Sequence, residues 1–288
     1  MNFKYKTKPY DHQRIALEKS YDKNYYAYFM EMGCGKSKVL IDNIAWLYQN
    51  KKIDTAVVVA PKGVYRNWKE NEIPTHMLDE INLDVYLWTP QPNKTQKKEL
   101  VDGAHSRKNL RILLVNVEGF ATTKMKNYLE FFTKGTDFLL AIDESTTIKN
   151  PKAKRTKALI TYGKSAKYKR ILTGSPVTKS PMDLYSQCSF MSKDLLGHDS
   201  FWSFQGKYAI SRMQRMGAHS FQQIVGYKNL DDLSQRLLTF SHRVTKADAL
   251  DLPPTIYATR EVPMTSEQLR HYKSIKDAAI ALLDDGQL

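Results

Sequence analysis

Residues 25–50 read YYAYFMEMGCGKSKVLIDNIAWLYQN, and this order of residue types leaves few folds open. A run of strand character enters Gly33, Cys34 and Gly35, and a helical pattern follows with Val39, Leu40, Ile44, Leu47 and Tyr48 on one face. A strand that turns through glycines into a helix presents backbone N–H groups at the helix start, where the dipole favours an anion. Lys36 is placed to reach the β and γ phosphates of a nucleotide, and the Ser37 hydroxyl to hold magnesium. The complete phosphate-loop pattern asks for a glycine where Met30 stands. Met30 closes the strand, however, ahead of the glycines that make the tight part of the turn.

Further apolar runs recur at 55–61 (TAVVVAP), 84–88 (DVYLW), 110–117 (LRILLVNV), 137–144 (DFLLAIDE) and 170–175 (RILTGS). Several lack polar alternation, which predicts strands covered on both faces, hence an α/β fold with a parallel sheet flanked by helices. The run at 137–144 ends in Asp143-Glu144, two carboxylates expected at the carboxyl edge of the sheet, where open α/β sheets bind ligands. In that place Asp143 is suited to magnesium and Glu144 to orienting and deprotonating a water.

Past residue 190 the texture becomes aromatic and methionine-bearing, as in FWSFQGKYAISRMQRMGAHSFQQ, and predicts a mostly helical appendage rather than more sheet. Leu252-Pro253-Pro254 ends whatever precedes it. A strand-like stretch at 255–264 and a helix from Ser266 follow. The expected organisation is an ATP-binding lobe over 1–190, a helical protrusion over 191–250 and a return segment over 251–288.

The charge balance adds a partner class. The chain has 288 residues with 44 Lys and Arg against 30 Asp and Glu, a net +14 that favours polyanions. Between Ser145 and Met182 lie Lys149, Lys152, Lys154, Arg155, Lys157, Lys164, Lys167, Lys169, Arg170 and Lys179, and no acidic residue. That stretch predicts a surface for nucleic-acid phosphates. Two distant cysteines and seven histidines match no disulfide framework or metal-ligand spacing. Cys34 lies beside a lysine and a helix start, a setting expected to lower its thiol pKa. Trp202, Phe204, Phe201 and Tyr208 are expected to pack the appendage rather than stack on bases. No apolar run is long enough for a membrane span, and the start carries no signal-peptide core, so a cytosolic protein is expected, or a nuclear one if the source has a nucleus.

In order along nearly the whole chain, these segments resemble the Swi/Snf-type ATPases of helicase superfamily 2, DNA-dependent motors built on two RecA-like lobes. PYDHQ (9–13) resembles their adenine-reading motif, with Gln13 as reader. EMGCGKS resembles their phosphate loop, whose first position is commonly not glycine, so that Gly33, Cys34, Gly35, Lys36 and Ser37 would bind the nucleotide. VVVAPKGVYRNWKEN (57–71) is similar to their DNA-contacting segment, with Pro61, Lys62 and Trp68 at matching places. DESTTIKNPKAKRTKAL (143–159) resembles the acidic box and its extension, and RILTGSPVTKSPMDLYS (170–186) the coupling motif, with Thr173, Gly174 and Ser175 linking nucleotide to DNA. The segment 242–272 is similar to the passage from first lobe to second. Thr146 stands where the box usually has histidine, Ser175 where the coupling motif has threonine, and His242 where arginine is usual.

The resemblance implies a RecA-like lobe using ATP and magnesium, with Lys36, Asp143 and Glu144 catalytic and Ser37 and Asp143 on the metal. It implies DNA contacts at Lys62, Asn116, Lys149, Lys152, Lys154 and Arg155, with duplex favoured, and action as a monomer. No Q-x-x-G-R-x-x-R stretch occurs, so the second lobe and its arginines are expected elsewhere, on a longer chain or a partner, and turnover by this chain alone is expected to be weak. Two other readings stay open: a nucleic-acid-binding module with a regulatory ATP site, and an RNA-directed helicase of the same superfamily.

Overall fold

The computed structural model describes residues 3–106, 108–216, 219–249 and 258–284. Its centre is a parallel sheet of seven strands: β1 (Tyr25–Met30), β2 (Thr55–Ala60), β3 (Leu83–Leu87), β4 (Leu110–Asn116), β5 (Phe138–Asp143), β6 (Tyr168–Leu172) and β9 (Ser241–Val244). Their order across the sheet is β3-β4-β2-β5-β6-β1-β9. Six of the seven fall where the apolar runs predict them. Strands β2, β4, β5 and β6 are buried along their whole length, the reason their sequences do not alternate.

Side-chain alternation splits the core into two layers. Ala27, Phe29, Val57, Val59, Leu140 and Ile142 face one way, toward helices α3 (Lys94–His105), α4 (Thr123–Thr133), α5 (Lys154–Gly163) and α6 (Asp183–Met191). Tyr26, Tyr28, Met30, Val58 and Ala141 face the other, toward α1 (Asp11–Ser20), α2 (Lys36–Gln49) and the irregular helical turns between Tyr65 and His76. In α2, Val39, Leu40, Ile44 and Leu47 are fully buried and Tyr48 half-buried, as the predicted face requires. Fully burying one such side chain contributes about 1.5–3 kcal/mol, so the two layers dominate the stability of this unit.

The segment 191–250 differs from the helical expectation. It holds α7 (Phe201–Tyr208) and α8 (Leu230–Phe240), but between them runs an antiparallel hairpin of β7 (Ala209–Met216) and β8 (His219–Tyr227), and β9 then joins the main sheet. The Gln, Arg and Met of the hairpin are good helix formers, which misleads a reading by propensity. Phe221, Ile224, Val225 and Tyr227 are the strand formers that prevail. Phe204 and Tyr208 are buried packing residues, as expected, whereas Trp202 is exposed. Residues 1–250 form one compact unit; 251–288 are a second. Leu252-Pro253-Pro254 and residues 255–257 lie outside the described residues. The described part of the strand-like stretch, from Ala258 to Met264, forms no strand, and a helix α9 (Ser266–Asp284) follows, opened by Thr265, whose hydroxyl accepts from the Gln268 N–H (3.3 Å). No described helix is long and apolar enough to cross a membrane.

Candidate active site

The parallel register brings the ends of β1, β5, β6 and β9 to one edge. Tyr28 lies beside Leu172 and Met30 beside Val244, while Asp143 lies beside Leu172. From Met30 the chain turns through Gly33 (φ 87°) and Gly35 (φ 82°), both in the left-handed region that only glycine enters freely. Gly35 has a second reason to lack a side chain, since a Cβ there would sit 2.1 Å from Gln13 Nε2. The loop is braced from below: His12 Nε2 meets the Cys34 carbonyl at 2.9 Å and Gln13 Nε2 donates to it at 3.2 Å. Gln13 Oε1 also accepts from the Tyr10 N–H (3.0 Å), so this buried side chain ties the start of α1 to the loop. Lys36 opens α2 and is buried, with Ser37 half-buried after it.

Cys34 corrects the sequence expectation. It is fully buried, and burial pushes its thiol pKa up, aided by Glu31, against the smaller pulls of Lys36 and Lys246. Desolvation of a thiolate outweighs the helix start and the lysines here.

The acidic pair is more tightly held than its sequence suggests. Asp143 Oδ1 accepts from the Glu144 N–H (3.1 Å), and Oδ2 from the indole N–H of Trp68 (2.9 Å). Burial raises the Asp143 pKa above the usual carboxylate value, partly offset by the Trp68 hydrogen bond and the nearby Lys36 charge. Trp68 is 1% exposed. It therefore belongs to the acidic pair and not to a nucleic-acid face, and nothing in its sequence neighbourhood signalled that role. Glu144 sits at φ 52°, an uncommon backbone for a non-glycine residue. Its Oε2 accepts from the Thr173 hydroxyl (3.3 Å), and Thr173 Oγ1 accepts from the Ser175 N–H (3.2 Å). Next to it, the buried Ser145 hydroxyl donates to Gln187 Oε1 (2.7 Å), while Gln187 Nε2 donates to the Pro176 and Asp183 carbonyls (both 2.8 Å). The end of β5 and the loop after β6 are thus joined twice. Gly174 closes the loop onto β1, because a Cβ there would stand 3.2 Å from Glu31 Cα.

A cleft of about 320 Å³ is lined by Glu31, Lys36, Glu144, Thr173, Ser175 and Lys246, among others, and the buried Asp143 directly precedes Glu144 in the chain. Lys246 is a cation the sequence reading did not foresee. It arrives because β9 lies along β1, and it is fixed by its own N–H donating to Glu31 Oε2 (2.9 Å). A larger hollow of about 1050 Å³ lies at the opposite edge, where β2 and β5 begin, lined by Lys51, Lys52, Asp54 and Asp137 among others. It holds none of the predicted site residues; convergent polar groups, rather than volume, mark the smaller cleft as the site.

The basic stretch is divided by the fold. Lys169 and Arg170 lie within β6 and are buried. Arg170 donates to Asn43 Oδ1 (2.9 Å) and to the carbonyls of Ser20 (2.9 Å), Lys23 (2.7 Å) and Asn24 (3.2 Å). Lys169 donates to the Phe190 carbonyl (3.3 Å), and burial pushes its pKa down to about 8. Lys167 pairs with Asp137, and Lys149 bonds the Thr178 hydroxyl near Asp183. Arg155 Nε donates to the Thr147 carbonyl (3.0 Å). Lys152, Lys154 and Lys157 are exposed. Lys62 is exposed just past β2, and Asn116 ends the adjacent β4, opposite Ala60. Asn116 is buried and donates to Glu118 Oε2 (3.2 Å), with its own Oδ1 lacking a hydrogen-bond partner.

Against known proteins, residues 28–288 match the SNF2-related domain. The chain is 25% identical over 225 residues to Protein CHROMATIN REMODELING 24 of Arabidopsis thaliana, covering 76% of this chain and 20% of that protein. It is 22% identical over 264 residues to the human helicase-like transcription factor, covering 86% and 24% respectively. The chain thus spans about a fifth to a quarter of these relatives' length. Among solved structures, the Sulfolobus solfataricus SWI2/SNF2 ATPase core in complex with dsDNA superposes with a TM-score of 0.63 at 22% identity, covering 99% of this chain and 55% of that one. The Sulfolobus solfataricus SWI2/SNF2 ATPase core domain superposes with a TM-score of 0.60 at 22% identity. The parallel sheet, the glycine loop at its carboxyl edge and the match across 28–288 place this chain in the SNF2-related domain family.

Proposed function

We propose that this chain is the ATP-binding lobe of a Swi/Snf-type motor that couples ATP hydrolysis to movement on duplex DNA. The observation that carries the reading is the convergence of Lys36 and the Glu144–Thr173–Ser175 chain on one cleft, with the Trp68-held Asp143 directly preceding Glu144. Lys36 and the N–H groups from Gly33 to Ser37 would hold the phosphates of ATP, with Gln13 on the adenine side. Magnesium fits the donor set: one carboxylate and one hydroxyl, with phosphate oxygens and water completing an octahedron, are its usual ligands. Asp143 and Ser37 would hold it, and when bound it neutralises charge on the phosphate oxygens. Each Asp143 oxygen has a single protein donor, which leaves a lone pair on each for that purpose.

Glu144 would orient the attacking water and take its proton. Its bond to Thr173 passes the state of the nucleotide to Gly174 and Ser175, and from there to the strand-end surface carrying Lys62, Asn116, Lys149, Lys152, Lys154 and Arg155. Contacts there would go to phosphates, which position the motor without reading sequence. A second RecA-like lobe, on a longer chain or a partner, would complete the site; the lobe itself acts as a monomer, in the cytosol or, if the source has one, the nucleus. Relatives described as a chromatin-remodelling protein and a helicase-like transcription factor, and a core solved with dsDNA, support this direction.

The test is ATP turnover by this chain with a second RecA-like lobe supplied, measured with no nucleic acid, duplex DNA, single-stranded DNA and RNA, with Lys36→Ala as the blank. Duplex DNA is expected to stimulate most, and Glu144→Gln to bind ATP while abolishing that turnover. Stimulation by RNA alone overturns the substrate assignment, and ATP binding that survives Lys36→Ala removes the loop from the site.

A further inference from the structure

The hairpin of β7 and β8 is the one element of the first unit whose strands pair only with each other among the described residues. Its root is fixed. Tyr208 and Ala209 are buried, the Lys228 N–H donates to the Tyr208 carbonyl (3.0 Å), Asn229 Nδ2 donates to the Lys207 carbonyl (2.8 Å), and Ile224 packs against the core. Beyond the root, every described side chain of the ribbon from Arg212 to Arg215 and from Ser220 to Gln223 is exposed. Two-stranded ribbons are marginal in water and persist where something else fixes them. Here the root does so, and the outer part contributes no packing to the fold.

Composition says what that outer part would meet. No acidic residue occurs between Asp199 and Asp231, whereas Lys207, Arg212, Arg215 and Lys228 do. Register sets the two faces. Arg212 lies opposite Gln223 and Gln214 opposite Phe221 on one, Met213 opposite Gln222 and Arg215 opposite Ser220 on the other. Each face therefore carries an arginine, an amide and an apolar group. Arginine suits phosphate and guanine edges, glutamine suits adenine edges, and an apolar side chain suits the thymine methyl. A two-stranded ribbon also has the width that the DNA major groove admits. An amyloid-like or protein-strand partner would require an apolar edge without charge, and two arginines in eight residues argue against it.

We infer that the β7–β8 hairpin is a second contact on duplex DNA, separate from the strand-end surface, entering a groove so that Arg212 on one face and Arg215 on the other reach the phosphate backbones that flank it. The inference rests on the duplex-DNA reading above but concerns a different surface. Both arginines are exposed, and neither takes part in a hydrogen bond or ion pair among the described residues, so their removal leaves the fold intact.

The experiment is duplex-DNA binding by fluorescence anisotropy across a salt series, for the whole chain and for Arg212→Ala/Arg215→Ala. With two fewer phosphates neutralised, the slope of log affinity against log salt is expected to flatten by about 1.8, and binding to weaken roughly fivefold or more at low salt. ATP binding serves as the fold control and is expected to be unchanged. Arg212→Lys/Arg215→Lys is expected to restore the salt slope. A double alanine variant with unaltered slope and affinity, while the unsubstituted chain binds, overturns the hairpin contact and leaves the motor reading standing. Failure of the unsubstituted chain to bind duplex DNA overturns both.

Discussion

At the scale of single residues, burial decides which chemistry each group can offer. The indole of Trp68 is the plainest case, because it donates to a carboxylate that the fold has already desolvated. Trp68→Phe keeps most of the packing and deletes that donor. A hydrogen bond to a charged group contributes about 1.5–3 kcal/mol, so thermal or urea unfolding should show a loss of that size, and ATP affinity in magnesium should fall with it. Unchanged stability and affinity would mean that the indole only fills space. A second buried carboxylate, Asp42, pairs with Lys38 at 2.8 Å one turn further along α2. Burial raises its pKa to about 6, against the opposing pull of Lys38. Its folded pKa then exceeds the unfolded value near 4, so the folded state binds more protons between those limits. The sign follows from linkage: from this group, stability falls as pH rises from about 4 to 6, and the cost persists above 6. His76, whose pKa is lowered by its own burial and by Lys38, titrates in the opposite sense nearby. The check is therefore a difference: the pH dependence of the urea midpoint for the unsubstituted chain minus that for Asp42→Asn, which should slope downward across this window.

At the scale of elements, the sheet was legible because its strands are buried on both sides and its first turn is glycine-rich. TAVVVAP and LRILLVNV admit little else, and the helix after Gly35 shows its face in Val39, Leu40, Ile44 and Leu47. What stayed hidden depended on contacts distant in the chain. Trp68 meets Asp143 across 75 positions, and Lys246 meets Glu31 across 215, so no local pattern encodes either. The hairpin was obscured by residues whose propensity favours helix, and β9 is four residues long. The basic stretch misled for a different reason: Arg170 occupies an interior strand position, where charge counts as structure and not as surface. Its guanidinium joins β6, α2 and the turn after α1. Arg170→Met should leave these oxygens without donors and cost about 3 kcal/mol, roughly 6–12 °C in Tm for a unit of this size. A Tm within 2 °C of the parent, on the order of 1 kcal/mol, would show that water replaces the guanidinium.

At the scale of the whole molecule, two features set what the lobe does alone. Among the described residues no arginine lines the cleft, and an arginine supplied to a transferring phosphate is worth about 10³–10⁵ in turnover. Single-turnover hydrolysis by this chain should therefore be slow even when ATP is bound, and should accelerate by orders of magnitude with an added second lobe. Fast hydrolysis abolished by Lys36→Ala, without any added lobe, would place the missing cation inside this chain. Second, Lys152, Lys154 and Lys157 are exposed after β5 in a stretch without acidic residues. Replacing Lys152, Lys154 and Lys157 with Gln should lower DNA affinity and reduce the salt slope by about 0.9 for each phosphate no longer neutralised. An unaltered slope would return those lysines to the role of a solvated face.

The position of β9 also has a temporal meaning. Strand β1 and the glycine loop belong to the first fifth of the chain, yet the outer neighbour of β1 and the two backbone groups that hold Glu31 come from Val244 and Lys246. At ordinary synthesis rates the ribosome needs about 10–40 seconds to make the intervening residues. Until then Glu31, at the entry to the loop, lacks both of these backbone partners and β1 keeps an open edge. Nucleotide capture would therefore be a late event in the life of a nascent chain, reporting that the first unit has been finished.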